Sequence, residues 1–466
     1  MFASRGAYVG KPLQVAGQWL TDDAPRNQVR LATVMTTFRR ETEASRTYLR
    51  YRDEILPQLP EAHLYLIDNG QTLDLPATAQ ITVVPNANLG GAGGFTRGLL
   101  EAQQSGKFTH VLFMDDDANC LPEAIFRTIA LLRHATGDRV AVAGAMLLEE
   151  SPWVQYESSA EFLRSGKEPT LWRSHGAWRD LTNWRECIRN DLDTDGNYGG
   201  WWFFAFAIKD VKALPFPFFV RGDDTDFSLS NDLSITTLNG IATTCPNLGD
   251  KSGHTTEYLS ARSWLALGLL HSDANRCEIL LERLLRQARH CNANWDYGRA
   301  HAILAAIEDA LEGPDYFSRN PSTVARTKEI ATFHPLPVLT AEERSRLVRG
   351  RKKKGLERLF DHPSPLTDSG YLPIILAPSG VAPRRVHTQG SPYKAEEQGG
   401  VLYRLIHKPA LEQTLASRIK ALHKARKSLV AQAAARYRAD NETVRSAESW
   451  HARLDLDGMS PAILGN

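Results

Sequence analysis

The stretch Val111-Leu-Phe-Met-Asp-Asp-Asp-Ala118 runs four apolar residues directly into three adjacent carboxylates. Like charges this close repel one another, and each raises the pKa of the next. The end of a buried strand rarely carries such a run without a compensating cation, so we expect one here. In a strand that ends in Asp-x-Asp, alternate side chains point to the same side. Asp115 and Asp117 can therefore bind one ion while Asp116 points elsewhere.

The ion that suits paired carboxylates is a hard divalent cation. Mg²⁺ and Mn²⁺ prefer oxygen ligands and often share phosphate oxygens of a substrate. The alternative is a strand end followed by a solvated acidic turn that binds nothing. Other polar motifs at the same edge of the sheet would favour the metal site.

The surrounding sequence alternates short apolar strands with helices. This rhythm predicts an α/β fold with a mostly parallel, doubly wound sheet, in which ligands bind at the carboxyl ends of the strands. Asp68, Asn88 and Asp115–Asp117 follow predicted strand ends, so we expect them to face one crevice. The predicted strands are 31–38, 63–70, 81–86, 109–116 and 140–147, and the predicted helices are 41–56, one that opens near Gly94, and 122–135.

Composition predicts how the rest of the chain is organised. Residues 150–200 are rich in Trp, Ser and Gly and are interpreted as loops, 201–208 as a strand, and 221–233 as a loop that enters a helix. We expect five regions. They are a short lead at 1–30, a ligand-binding α/β domain at 31–256, a helical region packed on it at 257–312, a Pro- and Gly-rich basic linker at 313–400, and a basic helical tail at 401–466.

Charge is unevenly distributed along the 466 residues, whose formal net charge is +1. From Ala341 onward, 22 Lys and Arg face 13 Asp and Glu, whereas the preceding part carries 33 against 41. Within the tail, 411–438 predicts an amphipathic helix. It either lies on an anionic lipid surface or packs on the body or on another copy. Its apolar face carries Leu411, Leu415, Ile419, Leu422 and Leu429, and its basic residues are Arg418, Lys420, Lys424, Arg426 and Lys427.

Cysteine usage and apolar runs bear on the compartment. The odd number of scattered cysteines excludes a complete disulfide framework and favours a reducing compartment. The N-terminus has no apolar signal segment, and the longest apolar run, 201–208, is far shorter than the ~20 residues of a membrane-spanning helix. We expect a cytoplasmic protein without a transmembrane segment. Nucleic acid is disfavoured as a partner, because the basic residues are not interleaved with aromatic ones and the aspartates would repel phosphate.

Three further motifs each have two interpretations. Residues 85–99, PNANLGGAGGFTRGL, place a Gly-rich turn before a helix, which suits close approach of a phosphate or gives simple loop flexibility. The tandem tryptophans of Asn197-Tyr-Gly-Gly-Trp-Trp202 either belong to the core or stack on a sugar. The acidic cluster Gly222-Asp-Asp-Thr-Asp226 either caps a helix or supplies a general base near a bound substrate.

Taken together, these motifs resemble the family-2 glycosyltransferases of GT-A fold. More narrowly, they are similar to the bacterial galactofuranosyltransferases, including the mycobacterial polymerising group. The resemblance covers about 30–310. The motifs that carry it occur in the family's order and are Asn88-Leu-Gly-Gly-Ala-Gly-Gly94, Asp115-Asp-Asp117, Asn197-Tyr-Gly-Gly-Trp-Trp202, Phe218-Phe-Val-Arg-Gly-Asp-Asp-Thr-Asp226 and the run YLSARSWLALGLLH at 258–271.

The resemblance implies an inverting, metal-dependent transferase that moves galactofuranose from UDP-galactofuranose to a glycan or lipid-linked acceptor in cell-surface polysaccharide synthesis. It would work at the cytoplasmic membrane surface. Asp115 and Asp117 would hold Mn²⁺ or Mg²⁺, and Asp224, with Asp223 beside it, would be the catalytic base. The implied donor-binding residues are Thr37, Phe38, Arg39, Asp68, Asn88, Gly90, Gly91, Gly93, Gly94, Arg97, Asp116, Trp201 and Trp202.

The chain departs from the family pattern at the third metal ligand. The family's histidine falls at Cys245, a poor ligand for Mg²⁺ but tolerable for softer metals. His254 lies nearby and is the alternative ligand. Residues 1–30 are too short for the N-terminal β-domain of the mycobacterial enzyme. Two other functions stay open, a rhamnosyl- or other hexosyltransferase of the same fold and a non-catalytic sugar-nucleotide-binding scaffold, and so does a homo-oligomer.

Overall fold

The structure is a computed structural model of the 466-residue chain. It describes residues 21–166, 172–192, 196–246, 253–340, 347–349, 374–376, 393–398 and 401–456. The predicted lead at 1–30 is therefore described only from Thr21. The basic residues 351–354 of the predicted linker lie outside the described residues.

Strands and helices alternate through the first half of the chain, as predicted. The strands are β1 (Leu31–Thr37), β2 (His63–Asp68), β3 (Ile81–Pro85), β4 (His110–Asp115), β5 (Asn119–Cys120), β6 (Val140–Ala143), β7 (Ala145–Leu148), β8 (Ser151–Glu157), β9 (Ser159–Phe162), β10 (Trp172–His175), β11 (Arg179–Asp180), β12 (Phe204–Ala207), β13 (Ser234–Thr236), β14 (Ala242–Cys245), β15 (Leu347–Arg349), β16 (Ile374–Leu376), β17 (Tyr393–Gln398) and β18 (Val401–Ile406).

Helices dominate the second half. The helices are α1 (Glu41–Arg50), α2 (Gly90–Ser105), α3 (Pro122–His134), α4 (Trp184–Leu192), α5 (Asp223–Asn231), α6 (His254–His271), α7 (Ala274–Ala293), α8 (Tyr297–Glu312), α9 (Pro314–Arg319), α10 (Val324–Phe333), α11 (Pro409–Val444) and α12 (Ala447–Leu454). The predicted helix 41–56 is α1 followed by a π-helical turn at Tyr51–Ile55 and a 3₁₀ turn at Leu56–Gln58.

The central sheet of the described residues has the strand order β13-β6-β12-β4-β1-β2-β3. β1 is parallel to β2 and β4, β3 is parallel to β2, and β12 runs antiparallel between β4 and β6. β1 and β4 are buried almost throughout, because α2 covers one face of the sheet while α1 and α3 cover the other. The predicted fold class, a mostly parallel α/β sheet with a helical C-terminal extension, is confirmed.

Two predictions about the middle of the chain were wrong. The predicted strand 140–147 is two strands, β6 and β7, which belong to different sheets and are separated by Gly144. A Cβ at Gly144 would lie 2.7 Å from the Phe203 ring, so this crossing point has no room for a side chain. Residues 150–200, predicted as loops, contain β8 to β11 and α4.

A second sheet extends from the carboxyl end of the first. Its order is β11-β8-β7-β14-β5 within the described residues. β5 begins two residues after Asp117, and β7 follows β6 after one glycine, so this sheet continues directly from strand ends of the central sheet. β8 therefore comes to lie beside the edge where the sequence predicts the site.

The predicted helical region at 257–312 is confirmed as α6, α7 and α8, which form an apolar layer. Side-chain caps fix two helix starts, because Asp273 accepts a hydrogen bond from the Arg276 amide at 2.7 Å and Asp296 one from the Arg299 amide at 3.0 Å. The linker prediction was wrong for 314–333, which form α9 and α10 on the same layer.

The predicted tail helix 411–438 is confirmed and is longer, since α11 spans Pro409–Val444. It crosses α7 in the antiparallel direction: Asn292 Nδ2 donates to the Glu412 carbonyl at 2.9 Å, and His423 Nδ1 lies 2.7 Å from Glu282 Oε2. Leu415 and Ile419 are buried against the body, so the apolar face packs on this chain. Across the described residues, no helix is long and apolar enough to cross a membrane.

Candidate active site

The carboxyl ends of β1, β2 and β4 meet side by side. In the strand register Thr36 lies opposite Asp115 and Thr37 lies opposite Asp68. Thr37, Asp68 and Asp115 therefore share one edge of the sheet, as the sequence predicts. This edge is the place where an open α/β sheet binds its ligands.

Arg40 supplies a cation to the first acidic cluster. Its Nη1 lies 2.8 Å from Asp116 Oδ1 and 2.9 Å from Asp117 Oδ2. Asp116 Oδ2 also accepts a hydrogen bond from Thr37 Oγ1 at 2.8 Å. Burial raises the pKa of Asp116 to about 6, although Arg40 and Thr37 oppose the rise. The sequence predicts a compensating cation for the aspartates. For Asp116 and Asp117, that cation is Arg40 of the same chain.

Asp68 shapes the loop that follows β2. Its two carboxylate oxygens accept backbone hydrogen bonds from Gly70 at 3.0 Å and from Thr72 and Leu73 at 2.7 Å each. The next residue, Asn69, donates from Nδ2 to Thr36 Oγ1 at 3.0 Å and to the Gly90 carbonyl at 3.1 Å. These contacts fix the start of α2 to the ends of β1 and β2. The predicted role of Asp68 in donor binding stays a prediction.

The Gly-rich turn is mainly a packing device. α2 begins at Gly90 rather than near Gly94. A Cβ at Gly94 would lie 1.9 Å from Thr36 Oγ1, and one at Gly98 would lie 2.1 Å from Val34 Cγ1. These glycines let α2 approach β1 closely. Gly91 differs, because its open side faces the site: a Cβ there would lie 3.2 Å from Asp223 Oδ2.

Other predicted donor-binding residues lie around the same turn. Asn88 Oδ1 accepts a hydrogen bond from the Gly90 amide at 3.2 Å, and a Cβ at Gly93 would lie 2.3 Å from the Leu89 Cβ. Arg97 points along α2, where its Nε lies 2.8 Å from Glu101 Oε1. No described contact of these residues tests a role in donor binding.

Phe38 and Arg39 form the exposed side of the first loop. Phe38 is 43% exposed, and the Arg39 guanidinium lies 5.1 Å from the centre of its ring. Arg39 has φ +54, so the chain turns sharply there. That turn directs Arg40, rather than Arg39, onto the aspartates.

The backbone before α5 is unusual. Phe219 has φ +77 and Arg221 has φ +67, a left-handed conformation that bulky residues seldom adopt, and Gly222 follows with φ +88. The Phe219 carbonyl accepts a hydrogen bond from the Ala92 amide at 3.1 Å. Strained segments held by their surroundings concentrate at functional sites. This one delivers the acidic cluster to the Gly-rich turn.

Asp223 and Asp224 open α5. Burial, together with the charges of Asp224 and Asp115, raises the pKa of Asp223 well above its ordinary value. Burial also raises the pKa of Asp224, but hydrogen bonds from Thr225 and the charge of Arg221 oppose that rise. Two adjacent buried carboxyls do not ionise together easily. Asp223 therefore holds a proton more firmly, and Asp224 is the member of the pair that can be ionised.

Glu157, at the end of β8, is a site residue that the sequence reasoning missed. It is 8% exposed and accepts a hydrogen bond from Ser174 Oγ. Burial and the charge of Asp224 raise the pKa of Glu157 to about 7. Tyr198 is buried beside both acids, and burial, together with their charges, raises its pKa well above the usual range. Glu157, Tyr198 and Asp224 thus lie close enough for their charges to interact.

One signal in the sequence could have revealed Glu157. In 154–157 apolar and polar side chains alternate, as they do in a half-buried strand, and Gln155 and Glu157 fall on one side. The neighbouring serines and glycines suggested loops instead. No local signal ties Glu157 to Asp224, because the fold brings together two residues that are 67 positions apart in the sequence.

The tandem tryptophans separate into two roles. Trp201 is 4% exposed, and its ring lies 5.0 Å from that of Phe95 and 4.9 Å from that of Phe113. Its ring packs in the core, and its predicted place in the donor site stays a prediction. Trp202 is half-buried, and its Nε1 donates to the Gly144 carbonyl at 2.8 Å. A sugar-binding role stays a prediction for both tryptophans.

The residues fit a divalent cation only in part. Asp115 and Asp117 supply the hard oxygen atoms that Mg²⁺ and Mn²⁺ prefer. Cys245 is 5% exposed within an apolar cluster, and His254 Nε2 lies 3.1 Å from Asp296 Oδ1 on the helical layer. No three His, Cys, Asp or Glu side chains of the described residues come together as a metal site. Residues 247–252, between β14 and α6, lie outside that description.

Comparison with known proteins confirms the resemblance predicted from the motifs. No family model matches the chain. Galactofuranosyltransferase GlfT2 of Mycobacterium tuberculosis is 25% identical over 354 residues, which are 69% of this chain and 54% of that protein. The GlfT2 of Mycolicibacterium smegmatis is 25% identical over 273 residues, 55% of this chain and 42% of that protein. The chain thus spans about half the length of these relatives.

Solved structures of glycosyltransferases resemble the chain weakly. A mannosyltransferase from Pyrobaculum calidifontis, in complex with GDP-Man and Mn²⁺, has a TM-score of 0.34 and 14% identity over 67% of this chain and 85% of its own. TarS of S. aureus, in complex with UDP-GlcNAc, has a TM-score of 0.35 and 13% identity over 65% of this chain and 88% of its own. Scores this low carry no argument about function.

Proposed function

We propose that this chain is an inverting glycosyltransferase that transfers galactofuranose from UDP-galactofuranose to a glycan or lipid-linked acceptor. The observation that carries the proposal is the meeting of the two acidic clusters. Asp115 ends a strand, Asp223 and Asp224 open a helix, and the charge of Asp115 contributes to the raised pKa of Asp223. The named relatives are galactofuranosyltransferases. The carboxylate of Asp115 at a strand end, beside the adjacent carboxyls of Asp223 and Asp224, suits a nucleotide-sugar site that contains its own catalytic base.

In the proposed reaction, the acceptor oxygen attacks the anomeric carbon while the bond from that carbon to the diphosphate breaks. The acceptor proton passes to a carboxylate oxygen of Asp224, and UDP leaves. A base works best when its pKa lies near the working pH, and burial shifts Asp224 in that direction. A divalent cation held by Asp115 and Asp117 would neutralise the diphosphate.

The test is release of the nucleoside diphosphate by the purified chain, which is UDP from the three UDP-sugars and dTDP from dTDP-rhamnose. The donors are UDP-galactofuranose, UDP-galactopyranose, UDP-glucose and dTDP-rhamnose, each with Mn²⁺, Mg²⁺ or EDTA, and with a crude membrane-glycan acceptor. We expect turnover of UDP-galactofuranose that EDTA abolishes. Selective turnover of another donor would keep the transferase and discard galactofuranose. Turnover in the presence of EDTA would contradict the proposed dependence on a metal.

A second candidate is a non-catalytic sugar-nucleotide-binding scaffold. It is favoured by the pairing of Arg40 with Asp117 and by the absence of a three-residue metal cluster among the described residues. A scaffold would bind UDP without releasing it from any donor. Binding of UDP in calorimetry, with no turnover of the four donors after long incubation, would therefore favour the scaffold over the enzyme.

For location, we propose a cytoplasmic protein that associates with the inner face of the membrane. The apolar face of α11 is buried against this chain and does not face lipid. The contact that we propose between α11 and the membrane is therefore electrostatic. Lys420, Lys424 and Lys427 are exposed on one side of the helix. We expect co-sedimentation with phosphatidylglycerol vesicles that falls when these lysines become glutamines. Equal binding to neutral vesicles would contradict it.

A further inference from the structure

The fold contains a third carboxylate on α5 that the proposed chemistry does not use. Asp226 is fully buried and lies two residues after Asp224 in the first turn of the helix. A buried carboxylate needs a counter-charge or hydrogen bonds, and this one has both. Its Oδ1 lies 2.9 Å from Arg445 Nη2 and 2.8 Å from His271 Nε2, and its Oδ2 accepts the Phe216 amide at 3.3 Å. Burial alone would raise the pKa of Asp226, but Arg445 and His271 lower it to about 2.

Arg445 reaches this carboxylate from the far end of the chain. It follows the last residue of α11, 219 positions after Asp226, and is 4% exposed. Its Nη1 donates to Ser230 Oγ at 2.8 Å and its Nε to Asn441 Oδ1 at 2.9 Å. The guanidinium thus holds two positions of α5 one turn apart, while it remains tied to α11.

The next helix closes over the same segment. Trp450 of α12 donates from Nε1 to the Pro215 carbonyl at 2.9 Å. Ala447, Trp450 and Leu454 belong to the same apolar cluster as Phe227 of α5. Helix α12 therefore belongs to the core of the sheet domain. It contacts both α5 and the segment that precedes it.

These contacts constrain the direction in which α5 presents its first residues. Asp224 and Asp226 lie in one helical turn, so a rotation that moved Asp224 would pull Asp226 away from Arg445 and His271. Of these two partners, Arg445 is the one that also bonds a second residue of α5 among the described contacts. A misplacement of about 1 Å at a reacting group can cost roughly 100-fold in rate.

We propose that Arg445 is a positioning residue: by pairing with Asp226 it fixes the first turn of α5, so that Asp224 is aimed at the acceptor hydroxyl. The C-terminal helices α11 and α12 thereby support an active site whose proposed base, Asp224, and strand-end carboxylates come from the first half of the chain. The inference rests on the proposed function, because it assigns Asp224 the role of base.

The test compares Arg445→Met with Arg445→Lys and with Arg436→Met. Arg436 is a matched control, since it lies on α11 and donates from Nη2 to the Leu311 carbonyl at 2.7 Å, away from α5. We expect Arg445→Met to lower kcat roughly 10- to 100-fold with a KM for UDP-galactofuranose that changes less than about threefold. Arg445→Lys should recover part of kcat, and Arg436→Met should retain all of it. Equal kcat values for Arg445→Met and Arg436→Met would overturn the inference.

A double variant separates positioning from stability. Arg445→Met leaves Asp226 as a buried charge with one partner fewer, so loss of activity could follow from unfolding. Asp226→Asn combined with Arg445→Met removes both charges. We expect its Tm to return toward the unsubstituted protein while kcat stays low. Recovery of kcat together with Tm would overturn a positioning role.

Hydrogen exchange keeps the test independent of the proposed reaction. If the unsubstituted protein turns over no donor, the proposed function fails, but the amides of 223–231 still report on α5. In Arg445→Met we expect faster exchange confined to these amides and to 215–222, with the other helices unchanged. Exchange that is unchanged at 223–231, or faster everywhere, would overturn the inference.

Discussion

Asp115–Asp117 and Asp223–Asp226 are both dense runs of carboxylates at one edge of the central sheet, but they differ in what neutralises them. In the first run, Arg40 bonds both Asp116 and Asp117. In the second, Arg445 and His271 bond Asp226, while Asp223 and Asp224 keep raised pKa values. In the second run, Arg445 thus matches Asp226, whereas burial raises the pKa values of the neighbouring Asp223 and Asp224. The difference separates carboxylates that hold structure from those available for chemistry.

The largest effect is expected at Asp224 in the second run. Asp224→Asn removes the group that accepts the acceptor proton but keeps its size and its place on α5. We expect kcat to fall about 10²- to 10⁴-fold, the usual contribution of a general base. UDP affinity should change little, because this side chain faces the acceptor in the proposed reaction. Steady-state kinetics and calorimetry with UDP measure the two quantities.

Asp223→Asn is the matched control for that change. Burial and the charge of Asp224 raise the pKa of Asp223 well above its ordinary value, which favours the protonated form, and an amide resembles that form. We expect less than about a tenfold loss of kcat. If Asp223→Asn were the more damaging substitution, the assignment of the base within the pair would be reversed. If both were harmless, the second run would have no catalytic role.

An intermediate effect is expected at the cation of the first run. Arg40→Met leaves Asp116, which is 8% exposed, and Asp117 without their shared arginine. We expect a loss of about 2–4 kcal/mol in the free energy of unfolding, toward the lower end because Arg40 is partly exposed. If Asp117 binds a divalent ion, Mn²⁺ should then raise the Tm of this variant more than that of the unsubstituted protein.

Arg39→Met is the control for Arg40→Met. Arg39 is adjacent in sequence and exposed, and its guanidinium lies over Phe38 rather than on an aspartate. We expect a change within about 0.5 kcal/mol, as for most surface substitutions. A Tm of Arg40→Met that does not respond to Mn²⁺ would mean that the first run is held by arginine and not by metal.

The sequence predicted the parts of both runs that depend on local order. Short apolar strands that end in polar residues predict a parallel sheet and a shared edge, and the structure has both. Local pattern also predicts that Asp223 and Asp224 open a helix. These features depend on residues within a few positions of one another, so the spacing of those residues in the sequence is enough to predict them.

The counter-ions could not be predicted, because they depend on tertiary contacts. Arg40 lies 76 positions before Asp116, and the left-handed turn at Arg39 decides which of two adjacent arginines reaches it. Arg445 lies 219 positions after Asp226 on a helix whose basic residues suggested a lipid surface. The ring contacts of Trp201 with Phe95 of α2 and Phe113 of β4 are likewise tertiary and have no local signal in the sequence.

The smallest effect is expected at Glu157. This residue lies at the end of β8, and its carboxyl interacts with that of Asp224 in the second run. Its pKa of about 7 in the folded chain lies above the ordinary value of 4.5, so the folded form binds the proton more tightly. The stability that this proton confers is fully present below pH 4.5 and is lost as pH rises through about 7. Glu157→Gln cannot lose the proton and can still accept the hydrogen bond from Ser174. Between pH 5 and 8, its free energy of unfolding should therefore fall by about 1–3 kcal/mol less than that of the unsubstituted protein.

Glu161→Gln is the control for this pH dependence. Glu161 lies on β9 near Glu157, but it is partly exposed and paired with Arg173 at 2.9 Å. Urea unfolding at several pH values should show the full slope in Glu161→Gln and a reduced slope in Glu157→Gln. Because the Asp224 charge contributes to the raised pKa of Glu157, the acid limb of the kcat profile should also move to lower pH in Glu157→Gln. An unchanged slope together with an unchanged limb would place Glu157 outside the second run.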